Sequence, residues 1–133
     1  MIRLLVVDDA PFVREIVRHA VRGTDIQIVG EAEDGNEAIE KAQELKPDVV
    51  LMDIVLPEKN GIEASQELVS LDPNIRIVAF STNDSDAMIL KVLDAGCVSF
   101  VAKPFKAHEL VAAIRQAAQG RLAKVSSAKV SLG

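Results

Sequence analysis

Residues 4–9 read LLVVDD and residues 49–53 read VVLMD, so two apolar runs each end on aspartate. Runs that are apolar at nearly every position predict strands covered on both faces, as in a parallel sheet flanked by helices. The carboxyl ends of parallel strands share one edge of such a sheet, and ligands bind in the crevice there. We therefore expect Asp8, Asp9 and Asp53 to lie together at that edge.

Three further apolar runs, at residues 26–30, 75–80 and 98–102, complete the pattern of a five-stranded sheet. They alternate with stretches of helical periodicity, which is typical of repeated strand-helix units. Polar Gln27 and Ser99 interrupt the second and fifth runs, so these strands are expected at the sheet edges. The sequence thus predicts an α/β fold with a doubly wound, five-stranded parallel sheet in the order 2-1-3-4-5, which is flavodoxin-like.

Each predicted helix carries an apolar face that is expected to cover the sheet. In chain order, the members of these faces are Phe12, Val13, Ile16, Val17, Ala20 and Val21; Ala38, Ile39, Ala42 and Leu45; Ile62, Leu68 and Val69; Ala87, Leu90 and Leu93; and Leu110, Val111, Ile114 and Ala117.

Helix boundaries are also indicated by the sequence. Pro11 suits a first helical turn, Asp34 is a predicted N-cap, and Asp84 or Asp86 is expected to cap the fourth helix. Glycines are expected where helices end, at Gly23, Gly96 and Gly120.

Composition points to one folded domain, because 49% of the 133 residues are hydrophobic and 26% are charged. A net charge of -5 disfavours nonspecific binding to nucleic acid. The single Cys97 excludes an intramolecular disulfide and a thiolate metal cage, and it is expected to be a buried apolar residue. Without a signal-peptide pattern or an apolar stretch of ~20 residues, the expected location is the cytoplasm, with no membrane insertion.

Two more polar side chains are predicted at the same sheet edge, because Ser81 and Lys103 follow the fourth and fifth apolar runs. Three carboxylates, a hydroxyl and an ammonium suit a divalent cation and a phosphoryl group. Magnesium prefers hard oxygen ligands and is typically held by carboxylates together with phosphate oxygens. Asp53, at the end of a central strand, is the expected nucleophile towards phosphorus.

Some of these residue types also have ordinary structural roles. Taken alone, Asp9 would more often be a helix cap, since it stands just before Ala10 and Pro11. His19 and His108 lie in helical stretches without partner ligands and are expected at the surface. The joint occurrence of acids, hydroxyl and lysine at strand ends favours the phosphoryl site over these structural roles.

Several segments together resemble the receiver domain of response regulators in bacterial and archaeal two-component signalling. They are VVDD at 6–9, LMDIVLP at 51–57 with Asn60 and Gly61, FS at 80–81, and FVAKPF at 100–105. The resemblance covers residues 1–120, and the chain is similar to stand-alone receivers of the chemotaxis type. Residues 121–133, which contain three basic side chains and no acid, are interpreted as a tail or the start of a linker.

The resemblance implies a phosphorylation-controlled switch whose phosphoacceptor is Asp53. A sensor histidine kinase or phosphotransfer protein would donate the phosphoryl group, and the domain would catalyse its own phosphorylation and dephosphorylation without being a conventional enzyme. The implied Mg²⁺ ligands are Asp9, Asp53 and the backbone carbonyl of Val55, with Asp8 acting through water; Ser81 and Lys103 would contact the phosphoryl oxygens.

The same resemblance implies an output surface and some local details. Phe100 would turn inward as Ser81 moves towards the phosphate, altering the face formed by the fourth helix, fifth strand and fifth helix, where a downstream protein would bind. A cis Lys103-Pro104 bond is expected. Thr82 stands where many relatives carry a small residue such as alanine, so slower reaction with small phosphodonors is predicted.

Three other functions remain open from the sequence. A magnesium-dependent aspartyl phosphatase would share the chemistry, but its family has a second aspartate two residues after the nucleophile, where this chain has Val55. A flavin-binding module would need a neutral phosphate loop, whereas Asp8 and Asp9 make the first loop acidic. The chain could also be the receiver portion of a longer regulator, with residues 121–133 the beginning of a linker.

Overall fold

The computed structural model describes residues 1–119, which form five parallel strands alternating with five helices. The strands are β1 (Ile2–Val7), β2 (Ile26–Ala32), β3 (Val49–Asp53), β4 (Ile77–Ser81) and β5 (Ser99–Ala102). The helices are α1 (Pro11–Val21), α2 (Gly35–Leu45), α3 (Gly61–Leu71), α4 (Asp86–Asp94) and α5 (Ala107–Ala118). The sheet order is β2-β1-β3-β4-β5 with parallel pairing throughout, so the predicted fold is confirmed.

Strand burial follows the predicted division into central and edge strands. Every residue of β3 and β4 is buried, whereas β2 and β5 are partly exposed. The fourth strand starts later than its apolar run suggests, because the Ile75 amide donates to the carbonyl of Asp72 and closes a turn. It also ends later, so that Ser81 is its last residue.

Two apolar layers cover the two faces of the sheet. One packs Leu5, Val7 and Met52 against α2, α3 and α4, and the other packs Leu4 and Val6 against α1 and α5. Alternate residues of β1 thus point into different layers, as the pleat of a strand requires. The helices therefore lie on both faces of the sheet. The chain adds β2 on one side of β1 and β3, β4 and β5 on the other, so its direction across the sheet reverses between β1 and β3.

The predicted apolar face of α1 is wrong at two positions. The Phe12 side chain is 72% exposed and Ile16 is also exposed, whereas Val17 and Val21 are buried and Val13 packs against the same layer. Valines spaced four residues apart form the stripe that meets the sheet. Phe12 and Ile16 each precede one of these valines and are turned by one residue, about 100°, away from the sheet.

The predicted face of α4 is also wrong. Leu90 is 58% exposed and Ala87 is exposed, although Leu93 is half-buried. The helix instead buries Val92 and packs Met88 against the same apolar layer. Since six of the nine residues of this short helix are apolar, its sequence alone is compatible with more than one rotation about the helix axis.

The starts of the first two helices match the sequence predictions, and the cap of the fourth differs. Pro11 begins α1, and the Asp34 carboxylate accepts a hydrogen bond from the Glu37 amide, as predicted. The prediction of Asp84 or Asp86 as the cap of α4 is wrong. Ser85 caps this helix, because its extended backbone points the hydroxyl at the Met88 amide, 3.2 Å away.

Gly23 and Gly96 follow α1 and α4 with φ angles of +80° and +104°, as expected of glycines that end helices. Gly120 and the proposed tail at 121–133 lie outside the described residues.

Candidate functional site: an acidic pocket at the strand ends

The turn after β1 holds one aspartate inside the protein and presents the next one to solvent. Asp8 is 1% exposed, whereas Asp9 is exposed. The Asp8 amide donates to the Ala32 carbonyl at 3.0 Å, and Asp8 Oδ1 accepts from the Ala10 amide at 2.9 Å. Asp9 does not cap α1, because the N-cap residue is Ala10 and no side chain accepts a capping hydrogen bond there. The Asp9 carboxylate is therefore available for a ligand.

Arg14 fixes the backbone of this turn from α1. Its Nη1 donates to the Asp8 carbonyl at 2.6 Å, and its Nε donates to Glu31 Oε1 on β2 at 2.9 Å. Arg14 is not among the site residues predicted from the sequence. Its position one residue after Val13, at the border of the sheet-facing stripe, was the available signal.

Asp53 is the last residue of β3 and is 4% exposed. Its Oδ1 accepts a hydrogen bond from the Val55 amide at 3.3 Å. The chain turns tightly here, since the Gly61 amide donates to the Ile54 carbonyl at 2.9 Å. A Cβ atom on Gly61 would lie 2.0 Å from the Asp53 carbonyl oxygen, so the close approach of α3 requires glycine.

Lys103 links the two buried aspartates from the end of β5. Its Nζ lies 2.8 Å from Asp8 Oδ2 and 3.3 Å from Asp53 Oδ1. The Lys103 amide donates to the Ser81 carbonyl at 2.8 Å, which holds the loop against β4. The Lys103-Pro104 peptide is cis, as predicted.

The remaining predicted residues surround this pocket in different ways. Ser81 is buried, and its Oγ accepts from the Asn83 amide at 3.1 Å. Thr82 is exposed next to it, and Val55, two residues after Asp53, is exposed as well. Phe100 is half-buried and packs against the layer formed with α2, α3 and α4.

The three acids fit a hard divalent cation. Asp8, Asp9 and Asp53 place one carboxylate oxygen each within 4.8 Å of one another. Three oxygen donors of like charge at this spacing favour a cation between them, and Mg²⁺ accepts carboxylates together with water. A single ammonium, that of Lys103, lies within salt-bridge distance of two of the three acids in the part of the chain described.

Burial and charge raise the pKa of Asp53 to about 6. Removal from water is the largest cause, and the neighbouring Asp8 carboxylate adds to it, whereas the Lys103 ammonium acts in the opposite direction. Without a bound cation, ionised Asp53 is thus a costly group in the folded state.

The metal-free protein should consequently become less stable as pH rises through this range. The folded-state pKa of Asp53 lies above the ordinary 3.8, so the folded protein binds the Asp53 proton more tightly than the unfolded chain does. The free energy of unfolding is therefore highest below pH 4 and falls as pH rises from about 4 to about 6. We expect Asp53→Asn to raise the free energy of unfolding at neutral pH by about 1–2 kcal/mol, and by much less near pH 4. Urea unfolding in EDTA at both pH values measures this difference. An equal effect of the substitution at the two pH values would contradict the expectation.

Residues outside the pocket agree with their expected structural roles. His19 and His108 are exposed on α1 and α5, and Cys97 is buried with its Sγ 3.5 Å from the Ser65 hydroxyl. Burial raises the pKa of the Cys97 thiol to about 11, so this thiol stays protonated at neutral pH. Over residues 1–119 we find no helix long and apolar enough to cross a bilayer.

Comparison with known proteins identifies the family. The sequence model of the response regulator receiver domain family matches residues 4–115 of the chain. The chain belongs to the receiver domains of two-component response regulators. These domains act as phosphorylation-controlled switches rather than as typical enzymes.

Individual relatives agree with this assignment. The receiver is 41% identical over 114 residues to the chemotaxis protein CheY of Thermotoga maritima, a match that covers 86% of this chain and 95% of that protein. The solved response regulator domain of Thermotoga maritima CheB superposes with a TM-score of 0.82 at 40% identity, covering 90% of this chain and 97% of the other. A Borrelia burgdorferi CheY, solved as a CheX-CheY-BeF3-Mg complex, is 25% identical with a TM-score of 0.80 and covers 83% of this chain and 84% of that one.

Proposed function

We propose that this receiver takes a phosphoryl group on Asp53 from a phosphohistidine of a sensor histidine kinase or phosphotransfer protein. The observation that carries the proposal is the Lys103 ammonium, which bridges Asp8 and Asp53 inside a buried acidic pocket. An Asp53 oxygen attacks phosphorus, the phosphorus-nitrogen bond breaks, and its electron pair stays on the donor imidazole. Lys103 and the Ser81 hydroxyl then stabilise the oxygens of the transferred group.

The pocket is proposed to bind Mg²⁺ through Asp9, Asp53 and the backbone carbonyl of Val55, with Asp8 acting through water. The support is the spacing of the three carboxylates together with the magnesium in the solved complex of the Borrelia burgdorferi CheY. When bound, the cation neutralises charge on the transferring phosphoryl oxygens. The Asp8 hydrogen bond to the Ala10 amide and the Arg14 contact keep the acidic turn in place to receive it.

Phosphorylation is proposed to shift a two-state equilibrium that is read at the face formed by α4, β5 and α5. Ser81 would move towards the phosphoryl group, and half-buried Phe100 would turn inward. The exposed Leu90 side chain of α4 is proposed as an apolar contact for a downstream protein. A change of the ratio of states from 1:99 to 99:1 requires about 5.5 kcal/mol of differential stabilisation.

We place the protein in the cytoplasm, where the donor's phosphohistidine and the downstream target would be met. Residues 1–120 are the proposed receiver domain, and 121–133 a tail or the beginning of a linker to a further domain. The domain is proposed to catalyse only its own phosphorylation and dephosphorylation.

A labelling assay tests this proposal against an aspartyl phosphatase. The protein is incubated with acetyl phosphate and Mg²⁺, and its mass is followed, while a phosphomonoester is supplied in a parallel reaction. We expect a gain of one phosphoryl group per chain and no sustained hydrolysis of the phosphomonoester. Repeated turnover of the phosphomonoester would contradict the proposal.

Thr82 is expected to slow access of small donors to Asp53. Its branched side chain is exposed and directly follows Ser81 in the chain. We expect Thr82→Ala to be phosphorylated several-fold faster by acetyl phosphate, since a narrower approach lowers the fraction of productive encounters. Initial rates of mass gain measure the effect, and Thr82→Ser, which keeps the hydroxyl and loses the methyl group, is the control. Equal rates for all three proteins would refute it.

A further inference from the structure

The ring of Phe80 lies beneath the pocket, although Phe80 is not among the site residues predicted from the sequence. Phe80 is fully buried in β4 and pairs in register with Asp53 of β3. Its ring belongs to the apolar layer on the α1 and α5 side of the sheet. Phe105 packs against it with the ring centroids 6.5 Å apart and the planes inclined by 53°. The ring is therefore held in place by its burial in this layer.

The Lys103 ammonium is placed over this ring. Its Nζ lies 4.4 Å from the Phe80 ring centroid, well inside the ~6 Å within which a cation is attracted by the face of an aromatic ring. The same Nζ faces Asp8 and Asp53 at 2.8 and 3.3 Å. Because the ring is buried and the lysine is largely covered, water competes little for this contact.

We propose that Phe80 is a positioning residue for Lys103, holding its ammonium in the pocket while the oxygens that the ammonium binds are exchanged. The inference rests on the proposed phosphorylation of Asp53, because in that reaction Lys103 must leave a carboxylate oxygen for a phosphoryl oxygen. The two carboxylates are not free to hold the lysine throughout, since in the proposed site Asp53 also binds the cation directly and Asp8 binds it through water. The ring face offers an attraction that is broad in direction and does not depend on which oxygens are present.

Simple core packing is the alternative role of Phe80. The two roles differ in what they require of the side chain. Packing needs an apolar group of the right volume, whereas positioning needs the negative charge on the face of the ring. Fluorination of the ring reduces that charge stepwise while the shape stays nearly the same, so the two roles make different predictions.

The experiment replaces Phe80 by mono-, di- and trifluorophenylalanine, and separately by leucine. Phe105→Leu is the matched control, because it removes an aromatic neighbour from the same layer and leaves the Phe80 face beneath the ammonium. With acetyl phosphate and Mg²⁺, we expect the rate of phosphorylation to fall stepwise with fluorination, reaching about a three- to tenfold loss in Phe80→Leu. Phe105→Leu is expected to react at a rate close to that of the unaltered protein.

A second readout tests the contact without any reaction. Protons on the Lys103 Cε methylene should resonate upfield in the NMR spectrum, because they lie in the shielding region above an aromatic face. The shift should be lost in Phe80→Leu and kept in Phe105→Leu. A cooperative transition in urea shows that each variant is folded. If Phe80→Leu does not fold, the fluorinated proteins still test the contact.

The inference is overturned if the fluorinated series reacts at one rate, or if the Lys103 protons show no upfield shift in the unaltered protein. Failure of the proposed function has a different signature, because the unaltered protein would then take up no phosphoryl group on Asp53. A normal rate of labelling together with a flat fluorinated series would leave the phosphorylation of Asp53 intact and reject the role of Phe80 alone.

Discussion

Asp53→Asn is expected to abolish phosphorylation by acetyl phosphate. The amide that replaces the carboxylate cannot form an acyl phosphate, and the other two acids of the pocket are not expected to replace Asp53 as the nucleophile. Asp8 is bound by the Ala10 amide and Lys103, and Asp9 is turned towards solvent. The mass of the unaltered protein should rise by one phosphoryl group in the presence of Mg²⁺, and that of the variant should not change.

Asp34→Asn provides the matched control for this prediction. Asp34 caps α2 by accepting a hydrogen bond from the Glu37 amide, and asparagine is an equally good cap. The control therefore makes the same chemical change in a helix cap and is expected to leave labelling intact. Phosphorylation of the Asp53→Asn protein at the normal rate would contradict the role of Asp53 as the acceptor. Loss of labelling in Asp34→Asn would show that the assay responds to folding rather than to the loss of the acceptor.

Gly61→Ala is expected to cause a larger loss of stability than any of the other substitutions proposed above. The added Cβ would lie 2.0 Å from the Asp53 carbonyl oxygen and 2.7 Å from Ile54 Cα, and both atoms belong to the backbone. Such contacts cannot be relieved by a side-chain rotation, so α3 has to move away from the end of β3. We expect the free energy of unfolding to fall by roughly 2–4 kcal/mol, as in overpacked interiors. Labelling of Asp53 should also slow sharply, because the loop that joins Asp53 to α3 shifts together with the helix.

Gly23→Ala separates this clash from the general cost of replacing a glycine. Gly23 has a positive φ of +80° and no atom within 4 Å of an added Cβ, so its substitution tests backbone conformation alone. A loss of about 1 kcal/mol is expected there, without an effect on labelling. Urea unfolding of the two variants measures the difference. A cost for Gly61→Ala no greater than that for Gly23→Ala would contradict the close approach of α3.

The position of the pocket could be predicted from the sequence because strand ends in a parallel sheet are brought together by the fold itself. The apolar runs that end at Asp8 and Asp53 are uninterrupted, so each marks a strand and its end within a residue or two. Ser81 shows the remaining error, since it is the last residue of β4 rather than the first after it. That difference does not alter which edge of the sheet it occupies.

Rotation of the helices was harder to predict. Phe12 and Ile16 fit a helical stripe as well as the valines do, and Leu90 fits one as well as Val92. Which stripe faces the sheet depends on the shape of the surface it must cover, a property of several strands at once. The cap of α4 likewise depends on the backbone conformation of Ser85, which the neighbouring aspartates do not reveal.

The sequence by itself determined the order of strands and helices, the edge at which polar residues gather and the residue types available there. These follow from periodicity and strand ends, which are local properties of the chain. Only the tertiary structure decided that Arg14 holds the Asp8 carbonyl, that Lys103 bridges Asp8 and Asp53, and that Phe80 lies beneath its ammonium. These contacts join residues on different strands and helices, and their distances are set by how the layers pack against the sheet, which no short stretch of sequence encodes.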